Sequence, residues 1–211
     1  MQDAPKTTLR ERIGAASQTT YQDLQAANNS GVSALLAITP PRIGTYWIGQ
    51  GGFYAGIVRD GDHQWHLILA ATQADTTTIG HKEPNFTPTP YPALKAEWGT
   101  YGETIPGEFS RRDGQHNTAL ILAAEPNNPI ALGCSQIEID GHSDYYWPAQ
   151  CENNLLFNNL PEHFPQELHW SSTQFSALNA WNQYFEDGHQ GINSKGSKLA
   201  ARAVRRILII Q

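Results

Sequence analysis

Apolar and polar positions alternate most regularly at the two ends of the region that follows Pro40-Pro41. Tyr54-Ala55-Gly56-Ile57-Val58-Arg59 and Trp65-His66-Leu67-Ile68-Leu69-Ala70 flank Asp60-Gly61-Asp62, a spacing that predicts a β-hairpin. Near the other end, a period of two across Trp181 to Glu186 puts Trp181, Gln183 and Phe185 on one face of a strand. Asn182, Tyr184 and Glu186 fall on the opposite face. The first face carries the large apolar residues and is expected to pack inward. Asp187-Gly188 then predicts a turn, His189 to Lys198 a polar return, and Leu199 to about Leu208 a last strand.

The middle of the chain reads differently. Asp113 to Thr118 leads into Ala119-Leu120-Ile121-Leu122-Ala123-Ala124, a short helix stopped at Pro126. A second helix is expected from about Ala149 to Leu160, with Leu155, Leu156 and Leu160 as its buried stripe and Pro161 as its stop. Thr72 to Phe109 has little periodicity and many prolines, which predicts a long irregular excursion over a sheet or against a neighbouring subunit. Gly49-Gln50-Gly51-Gly52 reads as tight backbone packing, because no Lys-Ser/Thr follows to make a phosphate loop. Thr7 to Asn28 carries only a weak helical stripe, so residues 1–40 read as an N-terminal extension, an attachment or oligomerisation arm or a frayed end. Hairpins at each end with two short helices between them predict an α+β domain over 41–211 whose first and last strands close one sheet.

Composition narrows the class. With 39% apolar and 16% charged residues and abundant Gly, Pro, Asn, Thr and Ser, the chain is turn-rich rather than a helical bundle. Six Trp, eight Tyr and seven Phe can fill a core. The net charge of −6 argues against general binding to nucleic acid or an anionic membrane. The charge is uneven: from Gly188 onward there are five basic residues and no acids, leaving a balance of −11 elsewhere. Strand-end arginines paired with distant acids account for this better than a free basic patch. No basic n-region and apolar core follow Met1, so the expectation is a protein made in the cytoplasm without a signal peptide. No apolar run approaches transmembrane length, so membrane insertion is not expected. Cys134 and Cys151 could pair, but two buried free thiols are the expectation.

Candidate chemistry is sparse. Glu83-Pro84-Asn85 and Glu125-Pro126-Asn127 repeat a tripeptide used by calcium-dependent lectins, yet no carboxylate cluster accompanies either to supply six to eight oxygen ligands. The eight histidines show no H-E-x-x-H spacing. His66 reads as an outward or satisfied strand position. Ser171 and Ser172 follow Trp170 without a nucleophile elbow. Asp140, Asp144 and Glu152 read as caps and ion-pair partners. No catalytic residue, metal ligand or cofactor is expected.

Spaced elements carry a resemblance: Gly141-His142-Ser143-Asp144-Tyr145-Tyr146-Trp147-Pro148, the Leu155-Leu156 helix, Trp170-Ser171-Ser172-Thr173 and Arg202-Ala203-Val204-Arg205-Arg206. Together, over roughly Ile43 to Ile207, they resemble the C-terminal domain family of collagen-like bacterial adhesins, found also in phage and prophage proteins. The resemblance implies a C-type-lectin-like fold, in the variant shared with formylglycine-generating enzyme. It also implies a ligand-binding domain over 41–211 with a structural role for His142. The formylglycine-generating enzymes themselves use a cysteine pair near the C-terminal core, which this chain lacks.

The tail more specifically resembles the variable proteins of diversity-generating retroelements, in which template asparagine codons are mutated at adenines while the scaffold stays. The region concerned is 170–206. Phe175, Leu178, Asn179, Asn182, Tyr184, His189, Gly191, Ile192, Asn193, Ser194, Gly196 and Ser197 all belong to the residue set such codons yield. Trp170, Trp181, Phe185, Asp187, Gly188, Arg202 and Arg205 then form the scaffold, with Gln183, Gln190, Lys195 and Lys198 in the same frame. The implied function is binding of a protein or glycan on a target cell surface, by a virion-associated or cell-surface homo-oligomer, with a trimer as the expectation from avidity. Two alternatives remain open: a fixed-sequence adhesin for sulfated glycans using Lys195, Lys198 and Arg202, and an enzyme sharing the fold.

Overall fold

The computed structural model describes residues 39–72 and 94–210, so expectations for 1–38 and 73–93 lie outside the described residues. In chain order the strands are β1 (Tyr46–Trp47), β2 (Gly52–Asp60), β3 (His63–Ala70), β4 (Leu94–Ala96), β5 (Leu168–Gln174), β6 (Asn179–Tyr184), β7 (Gln190–Ser194), β8 (Leu199–Ala201) and β9 (Val204–Leu208). Helices α1 (Gly114–Ala124), α2 (Pro129–Ser135) and α3 (Gln150–Asn159) lie between β4 and β5. The protein is therefore mixed α+β.

The expected hairpin forms β2 and β3, turning through Gly61 at φ +57°. Its register slips between Tyr54 and Gly56, and Gly56 takes φ +112° at that bulge. The Gly51-Gly52 approach is as tight as its glycines suggest: a Cβ on Gly51 would collide with the Tyr145 hydroxyl, and one on Gly52 with the Leu69 carbonyl. The His142 ring nitrogen meets the Gly49 carbonyl at 2.8 Å, which gives that histidine a structural contact. His66 Nδ1 is likewise satisfied, by the Tyr54 hydroxyl at 2.9 Å.

The predicted last strand is in fact two strands in two sheets. β9 pairs with β3 and completes a sheet of order β1-β2-β3-β9, so the first hairpin and the chain's last strand do share a sheet. β8 belongs to a second sheet of order β4-β8-β5-β6-β7, where it runs parallel to β5. Arg202-Ala203 is the crossover. The Arg202 guanidinium donates to the Ala70 carbonyl at 2.9 Å and to the His163 carbonyl at 2.7 Å, tying the crossing chain to the rest of the fold. Simple alternation could not reveal this break, because both halves remain apolar enough to read as one strand.

Side chains hold the start of each of these helices, although only α1 and α2 have an N-cap side chain that accepts from the first turn. Asp113 accepts from His116 N at 2.9 Å ahead of α1, and Glu152 reaches back to Ala149 N at 2.7 Å at the start of α3. The unexpected helix is α2. Asn128 accepts from Ile130 N and Ala131 N at 3.2 and 3.0 Å, and Pro129 occupies the first turn. β4 and the edge strand β7 are also additions, the latter formed from what reads in sequence as a polar return.

Two large apolar clusters, and a small one of Trp47, Tyr54 and Ile68, hold the sheets. One centres on Trp98, Trp147 and Trp170, all fully buried. Each indole donates to a backbone carbonyl, those of Ser171, Trp170 and Ala96 at 2.8, 3.1 and 3.2 Å. The other joins Phe53, Leu67, Leu69, Leu156, Leu160, Phe164 and Phe185, with Phe164 and Phe185 stacked at 3.9 Å. The C-terminal arginines find distant acids as expected: Arg205 meets Asp144 at 2.7 Å and Arg206 meets Asp113 at 3.0 Å.

Candidate binding face

β6 is an interior strand, and its two neighbours decide what the variable-type residues can do. Trp181 lies opposite Ile192, Asn182 opposite Gly191, and Gln183 opposite Gln190 on β7. Directly opposed residues share a face, so Trp181, Gln183, Gln190 and Ile192 form one surface. Phe175 meets the Trp181 ring edge-on at 5.7 Å, and the Arg111 guanidinium lies over the same indole at 5.4 Å. Arg111 Nε donates to Gln150 Oε1 at 2.7 Å. Gln150 Nε2 donates to Gln190 Oε1 at 3.1 Å, and Gln190 Nε2 donates to Gln183 Oε1 at 2.9 Å. An unbroken chain of amides thus links the loop before α1, the start of α3, β7 and β6.

The variable-type positions separate into groups. Phe175, Leu178 and Ile192 keep 53, 45 and 41% of their surface exposed, unusual for large apolar side chains. His189, Ser194 and Gly196 are also exposed, while Asn179, Gly191, Asn193 and Ser197 are half-buried. Asn182 corrects the parity reading: it is 3% exposed, not outward. Ala180, two residues earlier on the same face as Asn182, packs into the tryptophan cluster, so this face of β6 turns inward. Tyr184 is half-buried and stands away from Phe175 and Ile192. It donates to Glu186 and lines a 390 Å³ cleft with Lys95, Gln166 and Lys198.

Most positions expected to form the scaffold lie inside the fold. Trp170, Phe185, Arg202 and Arg205 are buried. The Asp187 carboxylate accepts from His189 N at 2.9 Å. Gly188 takes φ +83°, with a Cβ there colliding with the Phe157 ring. Trp181 departs from expectation, being half-buried and part of the surface beneath Phe175. Lys195 is fully buried, donating to the Glu103 carbonyl and Gln174 Oε1, each at 2.7 Å, with its ammonium 4.6 Å from the Trp98 ring centre. With Arg202 also committed to internal carbonyls, two of the three cations invoked for sulfated glycans do not reach the surface; Lys198 does. Arg111 and Gln150 join this candidate face without having been singled out in the sequence. They arrive through tertiary folding, and no local pattern joins them to β6.

Other candidates resolve into structural roles. Glu125 accepts from Thr100 N at 2.9 Å and from Asn128 Nδ2 at 3.0 Å, so its tripeptide braces a turn beside a 710 Å³ cleft. Burial pushes the fully enclosed Glu152 carboxyl up to about 7, against the opposing effect of its hydrogen bonds from Tyr146 and Ala149. Burial pushes His169 down to about 4. Both cysteines are free: Cys134 is buried, its thiol pKa raised by desolvation, whereas Cys151 is half-buried rather than enclosed as expected. Among the described residues, no group of three or more His, Cys, Asp or Glu could hold a metal ion. No described helix is long and apolar enough to cross a membrane. No family model and no curated protein matches the chain.

Proposed function

We propose that this protein is a ligand- or receptor-binding protein that displays an interchangeable surface on a C-type-lectin-like scaffold, of the kind diversified by retroelements. Its place is a phage particle, a prophage product or a cell surface, and it acts as a homo-oligomer that gains avidity from repeated sites. The observation that carries the reading is the contrast within one segment. Phe175, Leu178 and Ile192 hold large apolar surface in solvent at variable-type positions, while Gln183 and Lys195, framework residues between and beside them, are fully buried. Substitution of the first group costs only partial contacts, such as the edge-on meeting of Phe175 with Trp181; substitution of the second removes fully buried groups. Such a face suits recognition by rigid aromatic anchors with adaptable polar neighbours.

Two measurements test this. The flanking DNA should carry a reverse transcriptase gene and an imperfect repeat of the 170–206 coding segment that differs at template adenines. Changing Phe175, His189 and Ile192 together to alanine should abolish target binding and leave the melting temperature nearly unchanged. If neither genetic element is present, diversification is rejected. Unaltered binding by the triple variant rejects the face.

A further inference from the structure

On the proposed face, one cation stands outside the variable-type set. Arg111 is exposed, its planar side chain lies over Trp181, and its Nε is fixed by Gln150 at 2.7 Å. Among the described residues the guanidinium meets no carboxylate. Asp113, close by in sequence, is engaged by Arg206 at 3.0 Å, and Arg112 turns toward the Arg59 carbonyl at 3.4 Å. The surroundings supply neutral amides and apolar surface: Gln150, Gln190, Phe175 and Ile192. An arginine held by its ring contact and its Nε keeps the two terminal nitrogens as a preorganised fork, the geometry that matches a carboxylate. Little rotamer entropy remains to be lost on binding, which is where an unsupported surface arginine loses most of its gain.

We propose that Arg111 is a specificity-determining residue that selects protein partners presenting a carboxylate beside an apolar side chain. The inference rests on the binding-face reading above. A protein partner is favoured over an acidic glycan by the state of the indole. Trp181 is half-buried, with Arg111 over its ring and Phe175 edge-on to it, which leaves little open ring for a sugar to stack on. The exposed neighbours Phe175 and Ile192 are the apolar, protein-type contacts that surround arginine and tryptophan at interface hot spots. Arg111 is fixed while its neighbours belong to the interchangeable set, so changes in those neighbours alter which apolar group is accepted and leave the demand for a carboxylate in place.

The test uses an array of synthetic peptides, each pairing an apolar residue with glutamate, and a matched array carrying glutamine. The full-length protein should bind its best glutamate peptides about tenfold more tightly than the glutamine counterparts, with the margin shrinking in high salt. R111Q should erase that margin, and R111K should keep part of it, because lysine retains the charge without the fork. Equal binding of both arrays by the unmodified protein, or a margin that survives R111Q, overturns the proposal. If F175A/I192A abolishes binding while R111Q leaves the margin intact, the face stands and the role of Arg111 falls. If F175A/I192A changes nothing, the face itself falls. Binding of sialylated or glucuronylated oligosaccharides in place of the peptides overturns the protein assignment, and binding of neither overturns the carboxylate.

Discussion

Changing Glu152 to glutamine should unmask a pH dependence that the native protein conceals. Glu152 accepts from the Tyr146 hydroxyl at 2.6 Å, Ala149 N at 2.7 Å and Gly114 N at 3.1 Å, with Arg206 and Asp113 in its electrostatic surroundings. Its pKa rises from 4.5 to about 7, so the folded state keeps a proton that the unfolded chain releases. The stability it contributes is complete below pH 4.5 and is lost as pH rises through about 7. His169 works in the opposite direction. It packs against Phe164 and Phe185 beside Glu167, and its pKa falls from 6.5 to about 4. Its contribution is present above pH 6.5 and is lost as pH falls through about 4. At about 1.4 kcal/mol per pH unit, each displacement corresponds to roughly 3 kcal/mol. The two slopes overlap between pH 4.5 and 6.5 and nearly cancel. Glu152→Gln removes the falling slope and leaves stability rising with pH across that window; His169→Phe does the reverse. Urea midpoints followed by tryptophan fluorescence, from about pH 4 to about pH 8, would measure both. A constant stability difference between native protein and Glu152→Gln across that range refutes the reasoning.

Three further outcomes follow from the same packing. Lys195→Ala should cost about 3 kcal/mol and lower the melting temperature by roughly 6–12 °C, because two charge-assisted hydrogen bonds and a ring contact are lost. Its retention on heparin should not change; reduced retention with an unchanged melting temperature would place the ammonium at the surface. Gly188→Ala should destabilise by about 2 kcal/mol or more through strain and the clash with Phe157, whereas Gly61→Ala, with open space around its Cβ position, should cost about 1 kcal/mol. Equal denaturation midpoints for the two variants would contradict this. In the native protein a thiol reagent should modify Cys151 readily and Cys134 only on unfolding, as peptide mass mapping would report.

Local signals in the sequence found what local physics builds. Asp60-Gly61 announced the hairpin, and Pro161 ended a helix that Glu152 starts. The α2 helix escaped notice because it is short and depends on the Asn128 cap rather than on a repeating apolar stripe. Parity placed Gln183 and Phe185 inward correctly and misplaced Trp181 and Asn182: Trp181 is half-buried at the surface, whereas Asn182 shares the inner face of β6 with Ala180. The proposed binding face was half legible. Its variable-type members lie close together in sequence, but Arg111 and Gln150 reach them only once α3 packs against β6. The division between Ser194, Lys195 and Gly196 needed the tryptophan cluster to be seen, since nothing local marks a lysine for burial.

The crossover at Arg202-Ala203 also bears on how the chain is made. During synthesis the β3 edge carrying Leu67, Ile68 and Leu69 stays unpaired until Val204–Leu208 have emerged from the ribosome. Residues 170–197 are translated before that closing strand. A nascent chain that stops or shifts frame within the segment never supplies β9, and it leaves an apolar strand edge open to aggregation. Vectorial synthesis thereby screens this protein for intact coding, since only chains read through the segment in frame can close the first sheet.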